Sequence, residues 1–163
     1  MRRTVGIAAG IAVAATIIFV AASCGSDSTG LGSKQYVVNL SPANEQPAKT
    51  TTGTGVVTFV DLGTEIDWTM TLTNMVNVTM SHIHLGSTAV ASGPVIINLF
   101  LPNRPPETGT LNGFVAHGSI TNANNSTISL DSLRVLFNNG SAYVNVHTVV
   151  NPAGEIRDQI HPQ

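Results

Sequence analysis

Between Glu65 and Thr73 the chain alternates without a break. Ile66, Trp68, Met70 and Leu72 fall on one side, and Glu65, Asp67, Thr69, Thr71 and Thr73 on the other. A period of two fits a strand and not a helix. One apolar and one polar face together fit an antiparallel sheet wetted on one side. The same β-branched, alternating or continuously apolar pattern recurs along the chain and predicts eight short strands, over 36–40, 55–62, 65–73, 78–85, 95–101, 110–120, 142–149 and 155–160. One segment departs from this period. Leu130, Leu133, Leu136 and Phe137 stand at helical spacing, with Ser129 or Asp131 placed to cap the start and Asn139-Gly140 to end it. About eight strands with one short helix, joined through Gly, Pro and Asn, place the chain in the all-β class, as an antiparallel Greek-key β-sandwich or barrel. The Pro-rich run over 102–106 reads as a rigid loop, and 121–126 as an exposed polar one.

The first residues follow another logic. Met1-Arg2-Arg3 is a short positive region, and Val5 to Ala22 is an almost unbroken apolar run closed by small residues. This is the order of a secretory signal peptide, here 1–23. The run is also close to the shortest that spans a bilayer, so a retained signal anchor is an alternative. Ala21-Ala22-Ser23-Cys24 resembles a bacterial lipobox, in which the cysteine is lipidated and becomes the new N-terminus. That resemblance implies a chain secreted across the cytoplasmic membrane and lipid-anchored in the bacterial cell envelope. Its partner there would be the membrane itself, held through the lipid on Cys24, since two or more acyl chains anchor stably. Simple cleavage near Ser23 would instead release a free secreted protein. Residues 24–34, rich in Gly and Ser, read as a flexible tether, and 35–163 as the folded domain.

Composition removes several classes. Cys24 is the one cysteine, which leaves neither an intrachain disulfide framework nor a Cys-rich zinc site. Seven Lys+Arg against nine Asp+Glu give a net charge of −2, without the basic face that nucleic acid requires. Charged residues are 10% of the chain, so Ser, Thr and Asn carry most of the polar surface. There is no GxSxG elbow, no P-loop and no dinucleotide fingerprint.

The remaining candidate chemistry lies in the histidines. His82 and His84 are two apart on a predicted strand, so their imidazoles leave from one face and can converge on one cation. His147 sits mid-strand with Tyr143 and Asn145 on its side, while Val144 and Val146 take the core side. Three such imidazoles could hold one copper or zinc ion. The other reading of His82 and His84 is a structural pair bonded to backbone or carboxylates. His117 is a weaker candidate because Gly118 leaves its direction open, and His161 is expected in solvent. Glu155, Arg157 and Gln159 alternate onto one face of the last strand. They form either a salt-bridged wet face or supporting residues that orient a histidine or attract an anion. Met70, Met75 and Met80 are expected to pack rather than to ligate.

Five segments taken in order resemble the CHRD (chordin) domain: 40–47 (LSPANEQP), 81–86 (SHIHLG), 93–95 (GPV), 143–148 (YVNVHT) and 154–160 (GEIRDQI). The resemblance spans about 36–160 and implies an extracytoplasmic domain of the kind found in chordin and in bacterial lipoproteins. The CHRD domain is in turn thought similar to copper/zinc superoxide dismutase, so the expected sandwich is immunoglobulin-like or superoxide-dismutase-like. That second likeness implies a copper-ligand role for His82, His84 and His147 and an anion-guiding role for Arg157. Val95 stands where the dismutase pattern has a bridging histidine, so at most a mononuclear site is implied. The sequence therefore favours a binding or interaction module, with an unknown protein or envelope ligand, over an enzyme. The alternative is a mononuclear copper/zinc-binding protein or minor redox enzyme.

Overall fold

The computed structural model describes residues 33–101 and 107–163. The signal segment, Cys24, most of the tether and the Pro-rich 102–106 loop lie outside the described residues. Eight strands form: β1 (Lys34–Leu40), β2 (Thr54–Asp61), β3 (Ile66–Val76), β4 (Val78–Leu85), β5 (Val95–Phe100), β6 (Thr110–Ile120), β7 (Ala142–Thr148) and β8 (Ile156–Ile160). The helix α1 (Leu130–Asn139) comes between β6 and β7. Every strand and the helix lie where the alternation and the helical spacing predict them. The added element is a short 3-10 turn, Pro42–Asn44, whose N-cap Ser41 accepts from the Ala43 amide.

The strands form two four-stranded sheets, β1-β2-β3-β6 and β5-β4-β7-β8, with all pairings antiparallel. β6 returns beside β3, and β7 beside β4, which is the Greek-key order. β3 and β4 belong to different sheets yet are separated by one residue, Asn77. Asn77 takes φ 52°, a left-handed conformation that Asn tolerates better than most residues. Its backbone exchanges hydrogen bonds with Gly109 and Val149, so the corner is tied on both sides.

The core lies between the sheets. Tyr36, Val38, Phe59, Trp68, Met70 and Leu72 face inward from the first, and Ile83, Leu99, Val144, Val146 and Ile156 from the second. Met70 and Met75 pack in this core, as expected. Helix α1 carries the chain from the first sheet to the second and closes one end of the sandwich. Ser129 caps its start by accepting from Ser132 N–H, and Gly140 ends it in the left-handed conformation. Phe137 inserts between Tyr36 and Phe59, with ring centroids 5.2 and 5.1 Å away. Arg134 grips Asp61 at the end of β2 with two bonds of 2.8 and 3.0 Å and holds the carboxyl below its usual range.

The first sheet keeps the amphipathic pattern: Thr69, Thr71 and Thr73 face solvent. The second does not. Every residue of β7 is buried, on both faces, so something other than the core covers its outer side.

Truncation of the helix plug tests this architecture. Phe137→Ala is expected to cost about 3–5 kcal/mol in urea unfolding, as for other fully buried Phe side chains. Val135→Ala on the exposed side of α1 should change stability by less than ~0.5 kcal/mol.

Candidate metal centre

Antiparallel register builds the site. β4 pairs β7 with His82 opposite Asn145 and His84 opposite Tyr143, and β7 pairs β8 with Asn145 opposite Arg157 and Tyr143 opposite Gln159. Period two then places His82, His84, Tyr143, Asn145, His147, Arg157 and Gln159 on one face. This is the outer face of the second sheet, and two connections cover it. The 86–94 strap between β4 and β5 lies over one part. The 41–53 segment between β1 and β2 lies over another.

The strap is fastened mainly by its own backbone. Arg157 donates to the carbonyls of Val90 (2.8 Å) and Ser87 (3.2 Å), and Gln159 Nε2 donates to Gly86 O. Gly93 N–H donates to Tyr143 Oη at 2.9 Å, while Gly93 O accepts from His84 Nδ1 at 2.9 Å. Gly93 has to be glycine, because a Cβ there would lie 1.7 Å from the Leu85 carbonyl oxygen. On the other side Ser41 and Arg157 exchange backbone hydrogen bonds, and Asn145 Nδ2 donates to Glu45 at 3.0 Å. Gly154 lets that pair close. Its φ is +130°, and a Cβ would come within 2.5 Å of the Asn145 amide.

The three histidines thus meet under cover, 7%, 6% and 7% exposed for His82, His84 and His147. Their ring centroids are 5.0 to 5.8 Å apart. One ligand nitrogen from each lies within 4.8 Å of the others. His82 Nδ1 is 3.3 Å from His147 Nε2. Two nitrogens ~2.0–2.1 Å from one ion at a tetrahedral angle are ~3.3–3.4 Å apart, so this spacing is the edge of a coordination tetrahedron.

The protons lie on the far sides of two rings. A carbonyl only accepts, so His84 Nδ1 donates to Gly93 O, and His147 Nδ1 donates to Pro152 O at 3.1 Å. Each ring then presents a lone pair at Nε2. His84 Nε2 is buried and has no hydrogen-bond partner among the described residues. Asn145 Oδ1 and Gln159 Oε1 are in the same condition on the same face. Burial, helped by the two neighbouring rings, pulls His82 from 6.5 down to about 4. Burial lowers His84 and His147 as well, against the raising effect of the Gly93 and Pro152 carbonyls. Neutral rings are the form that binds metal.

Arg157 is neither on a wet face nor positioned to guide anions from outside. It is 1% exposed, and its guanidinium carbon sits 3.7 Å from the centre of the Tyr143 ring. Tyr143 in turn stacks on His84, with centroids 5.0 Å apart and planes 6° apart. Glu155 is buried too, accepting from Thr148 Oγ1 at 2.6 Å and Asn151 Nδ2 at 3.0 Å. It therefore braces the turn that carries Pro152. His117 lies on the exposed face of the first sheet beside Phe114, and His161 is exposed as expected. Sequence reasoning missed Glu45 and the strap. Glu45 is 2% exposed, and burial raises its pKa against the Arg157 charge. The available signal was Gly93 and Gly154, both in the segments quoted for the family resemblance.

The lowered His82 pKa has a consequence for folding. Between about 6.5 and about 4 the unfolded chain takes up a proton that the folded ring refuses, so this contribution to stability is whole above 6.5 and is lost as pH falls through the window. In chelator the urea midpoint of the wild type is expected to drop across that interval. His82→Asn should show a shallower drop, and equal slopes would contradict the assignment.

A comparison with protein-family models matches the CHRD domain over residues 36–160. No curated protein and no solved structure matches the chain. The match runs from within β1 to the end of β8 and takes in both covering segments and the three histidines, and the chain belongs to the CHRD domain family.

Proposed function

We propose that this chain is an extracytoplasmic CHRD-domain binding module whose ligand chemistry is a single transition-metal ion, copper or zinc, held by His82 Nδ1, His84 Nε2 and His147 Nε2. The observation that carries this reading is the orphaned lone pair on His84 Nε2, buried beside two other ligand nitrogens. A structural histidine pair would be expected to spend both ring nitrogens on hydrogen bonds. Imidazole suits both metals. Three protein ligands match open zinc sites, against four in closed structural ones, so a bound ion would keep a position for an outside ligand. Tyr143 and Gly93 orient His84, and the Pro152 carbonyl orients His147.

The N-terminal order of positive, apolar and small residues before Cys24 supports export and a lipid anchor, with the Gly/Ser tether holding the domain off the bilayer. Cys24→Ser is expected to move the protein from the membrane pellet to the soluble fraction.

The metal reading is tested by elemental analysis of the natively purified chain and by titration. About one equivalent of copper or zinc is expected per chain. At a hundredfold excess over Kd, that metal should add about 2.7 kcal/mol of stability. His82→Ala, His84→Ala and His147→Ala should each abolish both effects. Metal content unchanged in all three variants would overturn the reading and leave the rings structural.

A further inference from the structure

A second feature lies on the opposite edge from β1 and β8. There β5 and β6 are the free edges of their sheets, and between them opens a groove of about 540 Å³. That size falls within the ~300–1,000 Å³ usual for small-molecule sites. Its walls are β5 over Val95–Asn98, β6 over Gly118–Ile120, and the polar loop 124–127. Among the described residues no charged side chain lines it.

The loop wall is preorganised. Asn124 accepts from Thr121 N–H and donates to Ser119 O, and Asn125 accepts from Thr127 N–H and donates to Ile128 O. Their amides are therefore used in fixing the loop, and Ser119 Oγ is used on Asp67. Asn98, Ser126 and Thr127 line the groove and are exposed, and their side chains make no hydrogen bond among the described residues.

The floor is Trp68, 6% exposed. Its indole N–H also has no partner among the described residues, and it faces the groove. A Cβ on Gly118 would sit 3.0 Å from Trp68 Nε1 and 3.1 Å from Cε2, so the missing side chain of Gly118 leaves that edge open. An unpartnered indole donor on the floor, with an amide and two hydroxyls on the rim, suits a ligand that is neutral and dense in hydroxyls. A charged ligand would find no counter-ion, and an apolar one would strand the indole N–H.

We infer that the β5–β6 groove is a binding site for a neutral saccharide, a function separate from the metal centre. Trp68 donates from the floor, and Asn98, Ser126 and Thr127 contact the sugar hydroxyls from the rim.

Trp68 is the chain's single tryptophan, so its emission reports on the groove directly. The test titrates the purified chain, in chelator, with maltose, with N,N′-diacetylchitobiose and with a neutral β-forming tetrapeptide. At least one disaccharide is expected to change the emission saturably. Gly118→Ala, natively folded by circular dichroism, should bind roughly tenfold more weakly, the factor expected for about one lost hydrogen bond. If Gly118→Ala does not fold, Asn98→Ala and Thr127→Ala on the exposed rim carry the same expectation. No saturable change with either disaccharide, or undiminished binding in the folded variants, would overturn the site. A response to the peptide alone would also overturn it and assign the seam to strand addition.

Discussion

The structure depends on how the outer face of the second sheet is satisfied. Three imidazoles, a guanidinium, two carboxylates, a carboxamide pair and a phenol are buried there, and each would be costly without a partner. The main chain answers most of them. Carbonyls of Ser87, Val90 and Gly86 take the Arg157 and Gln159 donors, and those of Gly93 and Pro152 take the histidine protons. Glu45 and Asn145 answer each other. The groups left over are where function is expected, and the nitrogen left over on His84 points toward the other two rings.

The hydrophobic core has a different task. It supplies a rigid frame in which β4 and β7 are central strands with fixed register, so the histidines do not depend on loops for position. The loops decide the proton positions instead. A backbone carbonyl from the strap fixes the tautomer of His84, and one from the β7–β8 turn fixes that of His147. Tyr143 links the two levels. It stacks on His84, carries Arg157 on its ring, and holds the strap through Gly93. A change at Arg157 therefore reaches the site through the strap and Tyr143 as well as through charge.

Much of this was legible from residue order. Alternating or continuously apolar runs placed all eight strands, and period two put His82 and His84 on one side and His147 beside Tyr143 and Asn145 on its own strand; the β4–β7 register then brings the three to one face. Leu130, Leu133 and Phe137 marked the helix for the same geometric reason at another period. Burial of that face was not legible. Glu155, Arg157 and Gln159 alternate as a wet face does, and nothing in their own strand says that residues 41–53 and 86–94 fold back over them. Covers made of connections leave no periodic signal. They leave only glycines where backbones approach closely, here Gly93 and Gly154. Glu45 was missed because a carboxylate after a 3-10 turn looks like any solvated loop residue until Asn145 is seen opposite it.

The central claim is that this cover holds three neutral rings, with the lone pairs of His84 Nε2 and His147 Nε2 turned inward. Nitrogen-15 spectra of the imidazoles in the metal-free protein near neutral pH test it most directly. The account predicts protons on Nδ1 of His84 and His147, and perturbation on adding zinc at Nε2 of those two rings and Nδ1 of His82. A proton on Nε2 of His84, or a charged ring in the cluster at that pH, would contradict it.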